Sequence, residues 1–387
     1  MKVVQLYELV NEITSEVLGS EAVVNEDLSN VVDIGKQIID TDNVDNYVKK
    51  LVNHIGKVVF TDRLYAGGVP SVLMDSWEYG SILEKITADL PSATESDSHK
   101  LINGQDYSPD IFYQPQVSVK FFNSKVTFEI PLSFTERQVK ESFSNSNQLN
   151  GFISMLTTSV ENSMTVKLDA LIMRTINNMI GETLLADLNE SGTIDFTKTG
   201  VKAVNLLKLY NDEYGKTIAS DKALSDSDFI RYSTYVIGLY SDRIKKISTL
   251  FNVGGKERFT PASELHTVLL SDFQKASNVF LKSNLADNGD LVNLPKHETV
   301  PYWQGSGTSY SFDDVSKIDV KTASGTVVST SGILGIMFDR HAIGVTNLDK
   351  RVTSNYNPKA EFYTNFYKFE AGYYNDLDEN FVVFFIA

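Results

Sequence analysis

The sequence predicts an α+β protein in which alternating, extended segments surround one very long helix. Val117, Val119 and Phe121 alternate with other residues, and after Phe122-Asn123-Ser124 the residues Val126, Phe128, Ile130, Leu132 and Phe134 alternate on the opposite parity. That period of two marks half-buried strands. From 146 to 180, Leu149, Phe152, Ile153, Leu156, Val160, Met164, Leu168, Leu171, Ile172, Ile176, Met179 and Ile180 fall on one stripe with no proline among them, as on an amphipathic helix. Such a helix is about 50 Å long. The third observation is length: 387 residues exceed the roughly 250–300 at which a single core stops growing, so the chain forms two domains or one composite domain.

Residues 1 to about 56 read as an acidic, mostly helical arm. Val31, Ile34, Ile38 and Ile39 have helical spacing, and Val44, Val48, Leu51, Val52 and Ile55 repeat it. Gly67-Gly68-Val69-Pro70 punctuates the chain, and Trp77 to Ile86 reads as extended up to Pro91. Residues 92–110 are polar and turn-rich, with Ser92, Thr94, Glu95, Ser96, Asp97, Ser98, Asn103, Gly104, Asp106 and Pro109. Flanked by strands, they form the exposed tip of a large β-hairpin. The long helix stops at Gly181; its steps of 3, 1 and 4 depart from a sustained 3.5 repeat, so it lies along a sheet rather than in a coiled coil. Val201 to Tyr214 and Asp228 to Ile247 have helical spacing, His266 to Leu270 is a short strand, and Ser271-Asp272-Phe273-Gln274 is a capping box opening a helix through Phe280. Gly305 to Ser311 is a Gly/Ser/Thr connection. Ile333 to Phe338, Glu361 to Phe369 and Asn380 to Ile386 are strands. Phe362, Tyr363, Phe366, Tyr367 and Phe369 put aromatics on both faces, so these closing strands are expected to be covered on both sides or to lie at an interface.

Composition excludes several function classes. With no cysteine there is no disulfide and no thiolate metal site. A net charge of −15 argues against a reader of nucleic acid, whose affinity comes from Lys and Arg on phosphates. The first residues break their apolar character too early for a signal peptide, and no run approaches the roughly 18 apolar residues that span a bilayer, so synthesis in a cytoplasm with no membrane partner is expected.

Chemical motifs are incomplete. Asp187 to Asp195 copies positions 1, 3, 5, 6, 8 and 9 of a calcium loop, yet the twelfth position, which needs a bidentate Glu, is Lys198, so a polar turn is the better reading. Gly215-Lys216-Thr217 ends like a phosphate loop whose first Gly is replaced by Tyr210. None of the five histidines lies within five residues of another, which removes paired zinc ligands. His341 beside Asp339 reads as a turn after a strand, and no specific carboxylate pair stands out as a glycosidase pair. No catalytic, cofactor-binding or metal-binding residue is assigned.

The order of elements resembles the HK97-like fold of tailed-bacteriophage major capsid proteins. Local stretches carry the resemblance: Trp77-Glu78-Tyr79-Gly80-Ser81-Ile82 is similar to the lead-in to the family's E-loop hairpin, and Val126 to Ser133 followed by Phe134-Thr135-Glu136-Arg137-Gln138-Val139-Lys140-Glu141-Ser142 to the approach to its spine helix. Gly332 to Gly344, Ala371-Gly372-Tyr373 and Glu379 to Phe384 resemble its last strands, of a kind often seen in phages of Gram-positive hosts.

The resemblance implies an N-terminal arm over 1–60, an E-loop over 77–122, a P-domain from 61–76, 123–200 and 332–387 with spine helix 146–180, and an inserted A-domain over 201–331. It further implies a structural, non-enzymatic head protein of the virion. Such a protein self-assembles as hexamers and pentamers in the host cytoplasm into an icosahedral shell around double-stranded DNA, without sequence-specific contact. Lys100, Asp106, Tyr107, Phe112, Tyr113, Arg137 and Lys140 are the expected inter-subunit contacts, and a separate scaffolding protein and a portal are expected partners. Some relatives cross-link a Lys to an Asn beside a Glu, for which Lys100, Asn355 or Asn357, and Glu361 are the available types. Two alternatives stay open: an encapsulin-type compartment shell, and an unrelated acidic binding module or hydrolase.

Overall fold

The computed structural model describes residues 3–18, 30–40, 46–47, 50, 69–74, 83–88, 90–91, 93, 95–138, 146–190, 192–282, 294–304 and 309–387. The expected apolar repeat from Val44 to Ile55, the Gly67-Gly68 break, the stretch Trp77 to Ile82, and residues 305–308 of the Gly/Ser/Thr connection lie outside the described residues. The chain divides into two compact units. One holds residues 1–80, 125–174 and 345–372, and the other 81–124, 175–344 and 373–387.

In chain order the first elements are α1 (Val3–Leu18), α2 (Val31–Asp40), β1 (Leu83–Ala88), β2 (Val117–Phe122), β3 (Lys125–Thr135) and α3 (Ser146–Leu188). Then come β4 (Asn189–Glu190), β5 (Thr193–Ile194), β6 (Ala203–Asn205), α4 (Leu206–Tyr214), α5 (Ser220–Ala223), α6 (Ser227–Arg243), β7 (Leu265–Leu270), α7 (Ser271–Lys282) and β8 (Glu298–Val300). The last are α8 (Phe312–Val315), β9 (Ile318–Lys321), β10 (Val327–Thr330), β11 (Ile333–Asp339), β12 (Ile343–Asn357), β13 (Phe362–Asn375) and β14 (Phe381–Phe385).

The first unit is built on a three-stranded sheet ordered β12-β13-β3, with β13 antiparallel to β3 from Phe362 opposite Thr135 to Gly372 opposite Lys125. The alternation of β3 puts Val126, Phe128, Ile130 and Leu132 on one half-buried face and buries Phe134. Pro131 has no N–H to donate, which an edge strand such as β3 tolerates. The strand ends in a reciprocal cap: Gln138 Oε1 accepts from the Thr135 amide at 2.8 Å while Thr135 Oγ1 accepts from the Gln138 amide at 3.2 Å. On β13, Tyr363, Asn365, Tyr367 and Phe369 are buried, whereas Phe362 and Phe366 are only half-buried. Coverage on both faces is therefore not met within the chain for β13, which leaves the interface half of that expectation standing. A three-stranded antiparallel sheet with one covered face sorts its aromatics by alternation. Val10, Ile13, Ile34 and Ile38 of the arm helices are buried.

Helix α3 overruns the expected stop at Gly181 and continues to Leu188. A mid-helix glycine costs about 1 kcal/mol relative to Ala, but here it makes room. A Cβ at Gly181 would lie 2.5 Å from Val320 Cγ2 of β9. The apolar stripe continues with it, through the buried Leu184 and Leu188.

The second unit centres on a five-stranded sheet ordered β6-β14-β11-β7-β8. Every residue of β11 and β14 is buried, so these two central strands read as continuous apolar runs. Leu206, Tyr210, Phe229, Ile237, Tyr240 and Phe273 of the surrounding helices form a common core with Met337, Val382 and Phe384. Two side-chain caps place the helix starts. Asn205 Oδ1 accepts from the Lys208 amide at 3.1 Å, so the helix expected from Val201 begins at Leu206, after 203–205 have paired with β14. Asp226 Oδ1 accepts from the Asp228 and Phe229 amides at 2.9 and 2.8 Å and opens α6. Trp303 is fully buried; its indole N–H donates to the Ile333 carbonyl at 2.8 Å, and its own carbonyl accepts from Asn177 Nδ2 at 2.7 Å.

Gly332 precedes β11 with φ 88°, and a Cβ there would meet the Ile386 carbonyl oxygen at 2.0 Å. Both the backbone conformation and the space demand glycine. Gly332→Ala is expected to destabilise the unit by more than the roughly 1–2 kcal/mol of the left-handed conformation alone, measured as a lowered denaturation midpoint at unchanged m-value.

Candidate functional site

Strands β1 and β2 form a two-stranded antiparallel ribbon that carries a tip described over residues 90–91, 93 and 95–116. Its register sets Lys85 opposite Lys120, Ile86 opposite Val119, Thr87 opposite Ser118 and Ala88 opposite Val117. Alternation therefore gives the ribbon two unlike faces. The more buried face carries Lys85, Thr87, Ser118 and Lys120, flanked at the ribbon root by Leu83 and Phe122, with Thr87 and Ser118 hydroxyls 2.9 Å apart. The outward face carries Ile86, Val117, Val119 and Phe121, from 44% to 63% exposed. Within the chain these four apolar side chains gain little of the burial that is the main driving force of folding.

The tip continues this exposure. Phe112 is 85% and Tyr113 80% exposed, and Leu101, Ile102 and Ile111 are exposed too. Polar turns there display isolated large apolar groups, among them the expected contact residues Tyr107, Phe112 and Tyr113. The tip has local order nonetheless. Ser96 caps a short turn over 97–99, the Lys100 ammonium meets the Glu95 carboxylate, and Tyr107 Oη accepts from the Ile102 amide at 3.0 Å. Of the expected contact residues, Lys100, Asp106, Tyr107, Phe112 and Tyr113 are thus brought together on one exposed tip. Arg137 is an exposed residue just after β3, and Lys140 lies outside the described residues.

The ribbon's inner face meets the turn between β13 and β14. Lys85 Nζ lies 2.6 Å from Asp376 Oδ2 and 2.7 Å from Glu379 Oε1, while Lys120 Nζ lies 2.7 Å from Asp376 Oδ1 and 2.6 Å from Asp378 Oδ2. Burial pushes the Asp376 carboxyl up, but hydrogen bonds from Lys120 and Lys85 outweigh it and hold the group below the usual carboxylate range. Burial likewise lowers the Lys120 ammonium, and Asp376 and Asp378 more than restore it, leaving it above its ordinary value. A carboxylate kept ionised by two ammonium groups holds charge in place and is unsuited to donating protons. Sequence reasoning missed these five residues and the outward apolar face. The alternation of Val117 to Phe121 signals two faces, but not which one turns outward.

The incomplete motifs resolve into local structure. Asp187 Oδ2 accepts from the Lys202 and Ala203 amides at 2.7 and 2.9 Å, and the following residues form the β4–β5 hairpin with Lys198 paired to Glu190. The carboxylate that would open a calcium loop is already engaged, so calorimetric titration with calcium is expected to give no heat. Gly215 is the left-handed C-cap of α4, and the Lys216 ammonium donates to Tyr210 Oη at 2.8 Å. Asp339 accepts from the His341 backbone amide, which makes that pair a turn cap. Asn357 Oδ1 accepts from the Lys359 and Ala360 amides. Among the described residues, no group of three or more His, Asp or Glu is placed to hold a metal, and no helix is long and apolar enough to cross a membrane.

A mixed α/β subunit with a long helix, displaying an apolar ribbon and an aromatic tip to its surroundings, is a subunit of a larger structural assembly. The chain belongs to the Phi29-like phage major capsid protein family, whose model matches residues 10–385. It is accordingly a phage major capsid protein and not an enzyme; it assembles with copies of itself into the head shell and resides in the virion capsid. The family match decides among the three readings left open by the sequence.

No curated protein matches the chain. Among solved structures it is similar to the capsid of Staphylococcus phage Andhra, with 10% identity, 84% of this chain and 86% of that chain covered, and a TM-score of 0.46. The capsid of cyanophage P-SCSP1u gives 9% identity, 85% and 92% coverage and 0.46. The mature capsid of bacteriophage PhiM1 gives 7%, 84% and 89%, and 0.43. The family assignment rests on the family match alone.

Proposed function

We propose that the chain builds an icosahedral shell of hexamers and pentamers in the HK97-like manner, with the β1–β2 hairpin as the E-loop. In this reading 1–60 is the N-terminal arm, 77–122 the E-loop, and 61–76, 123–200 and 332–387 the P-domain. Residues 201–331 form an A-domain inserted between the helix and the closing strands. The observation that carries the proposal is the exposure of large apolar groups on the ribbon's outward face and tip. A neighbouring copy supplies the cover, contacted by Lys100, Asp106, Tyr107, Phe112 and Tyr113, with Arg137 and Lys140 in further inter-subunit contacts. The net charge of −15 suits a wall that encloses double-stranded DNA without sequence-specific contact, because like charge keeps the genome mobile during packaging and release. A separate scaffolding protein and a portal complete the assembly.

Negative-stain microscopy of the expressed chain tests the proposal. With its scaffolding protein present, closed shells with sixfold and fivefold capsomers are expected; without it, unassembled subunits and irregular aggregates. Regular closed shells from the chain alone would remove the scaffold requirement. Only amorphous material under both conditions would overturn the reading.

A further inference from the structure

Among the described residues the ribbon pairs with no third strand, so its direction depends on what holds its inner face. Lys85 and Lys120 stand directly opposite each other in register, an arrangement in which like charges repel on a bare ribbon. Their partners, Asp376, Asp378 and Glu379, all come from the single turn between β13 and β14. The ribbon thus supplies two lysines to this contact and the turn supplies three carboxylates.

The turn is firmly anchored. The Asp376 amide donates to the Ala342 carbonyl at 2.8 Å, the Gly254 amide donates to the Leu377 carbonyl at 2.8 Å, and Asp376 Oδ1 accepts from the Asp378 amide at 3.1 Å. Gly254 fits so closely that a Cβ there would come 1.8 Å from Asp378 Oδ1. Arg258 Nε adds a cation 3.7 Å from Glu379. Further contacts at the ribbon root are the Phe122 and Tyr374 rings at 4.7 Å, the Tyr373 amide donating to the Ser124 carbonyl at 3.1 Å, and Lys85 Nζ donating to the His341 carbonyl at 3.4 Å.

We propose that Lys85, Lys120, Asp376, Asp378 and Glu379 form an ionic latch that fixes the direction of the hairpin, and that the ribbon leaves the turn as one body when these pairs are broken. The latch answers to charge and ionic strength and not to pH near neutrality. The lowered Asp376 pKa contributes stability that is present above the ordinary carboxylate value and is lost as pH falls through the folded one. The raised Lys120 pKa contributes stability that is present below the ordinary lysine value and is lost as pH rises through the folded one. Lys120, with its side chain 35% exposed against 2% for Asp376, is the arm open to screening by salt.

The absence of cysteine lets two introduced thiols carry the only labels, at Ala88→Cys on the ribbon and Ser329→Cys on β10. Pulsed dipolar spectroscopy of nitroxides on the dilute, unassembled full chain reads the hairpin's direction without any shell. One narrow distance distribution is expected for this parent protein, with at least a twofold widening on adding Lys85→Met and Lys120→Met together. Arg at both positions is expected to restore the parent width. An unchanged width in the double Met variant overturns the latch. Should that variant fail to fold, Lys120→Met alone and a salt titration of the parent from low to molar sodium chloride replace it; unchanged widths in both overturn the proposal. Because no assembly is involved, failure of the latch and failure of the shell reading give separate results.

Discussion

Replacing Phe112 and Tyr113 together by serine is expected to abolish closed shells while leaving the subunit folded. Both rings are more than three-quarters exposed in the single chain, so the subunit's own core loses nothing when they go. Burying two such side chains at a neighbour contributes about 1.5–3 kcal/mol each. Their loss therefore weakens each contact by roughly two to four orders of magnitude, since about 1.4 kcal/mol is tenfold. The deficit repeats at every copy of the subunit, so assembly fails as a whole. Unassembled subunits by size exclusion, no shells by microscopy and a thermal midpoint within about 2 °C of wild type are the expected set. Normal shells from the double variant would remove the tip from the interface.

The second large effect lies in the interior. Trp303→Ala is expected to cost about 3–5 kcal/mol through lost burial and the cavity left behind, with a further roughly 1–3 kcal/mol for the Ile333 carbonyl left without its indole donor. Against a total of about 5–15 kcal/mol, most of the margin disappears and the chain accumulates as insoluble protein. Trp303→Phe keeps most of the volume and loses only the hydrogen bond and part of the packing. It is expected to stay soluble, with a midpoint lowered by several degrees in thermal denaturation followed by circular dichroism.

How much of this was legible in the sequence depends on whether an element is decided locally. Strand β3, helix α3 and the closing strands follow from periodicity, because alternation and the helical stripe are properties of neighbouring residues. The start expected at Val201 moves to Leu206 because Ala203 to Asn205 pair with β14, a partner far along the chain. What stayed hidden depends on distant partners. Gly181 looks like a stop until Val320 is found against it, and Asp187 looks like a calcium ligand until the Lys202 and Ala203 amides occupy it. The candidate site divides in the same way. A long exposed tip could be read from turn-forming residues at 92–110, and Phe112 and Tyr113 could be placed on it. The pairing of Lys85 and Lys120 with carboxylates at 376–379 joins segments far apart in sequence, and no local pattern announces it.

The place of β14 bears on when a subunit becomes usable. It follows every other strand in chain order yet lies between β6 and β11, with Val383 opposite Ala203 and opposite Ile336. Until it is made, β6 has no partner in this sheet and β11 lacks one edge. Pairings between such distant segments form slowly, because the intervening chain must be closed into a loop first. The central sheet is consequently finished only after synthesis has passed residue 385. A chain made only as far as β13 leaves β6 without its partner and one side of β11 open, and so cannot yet present the finished sheet.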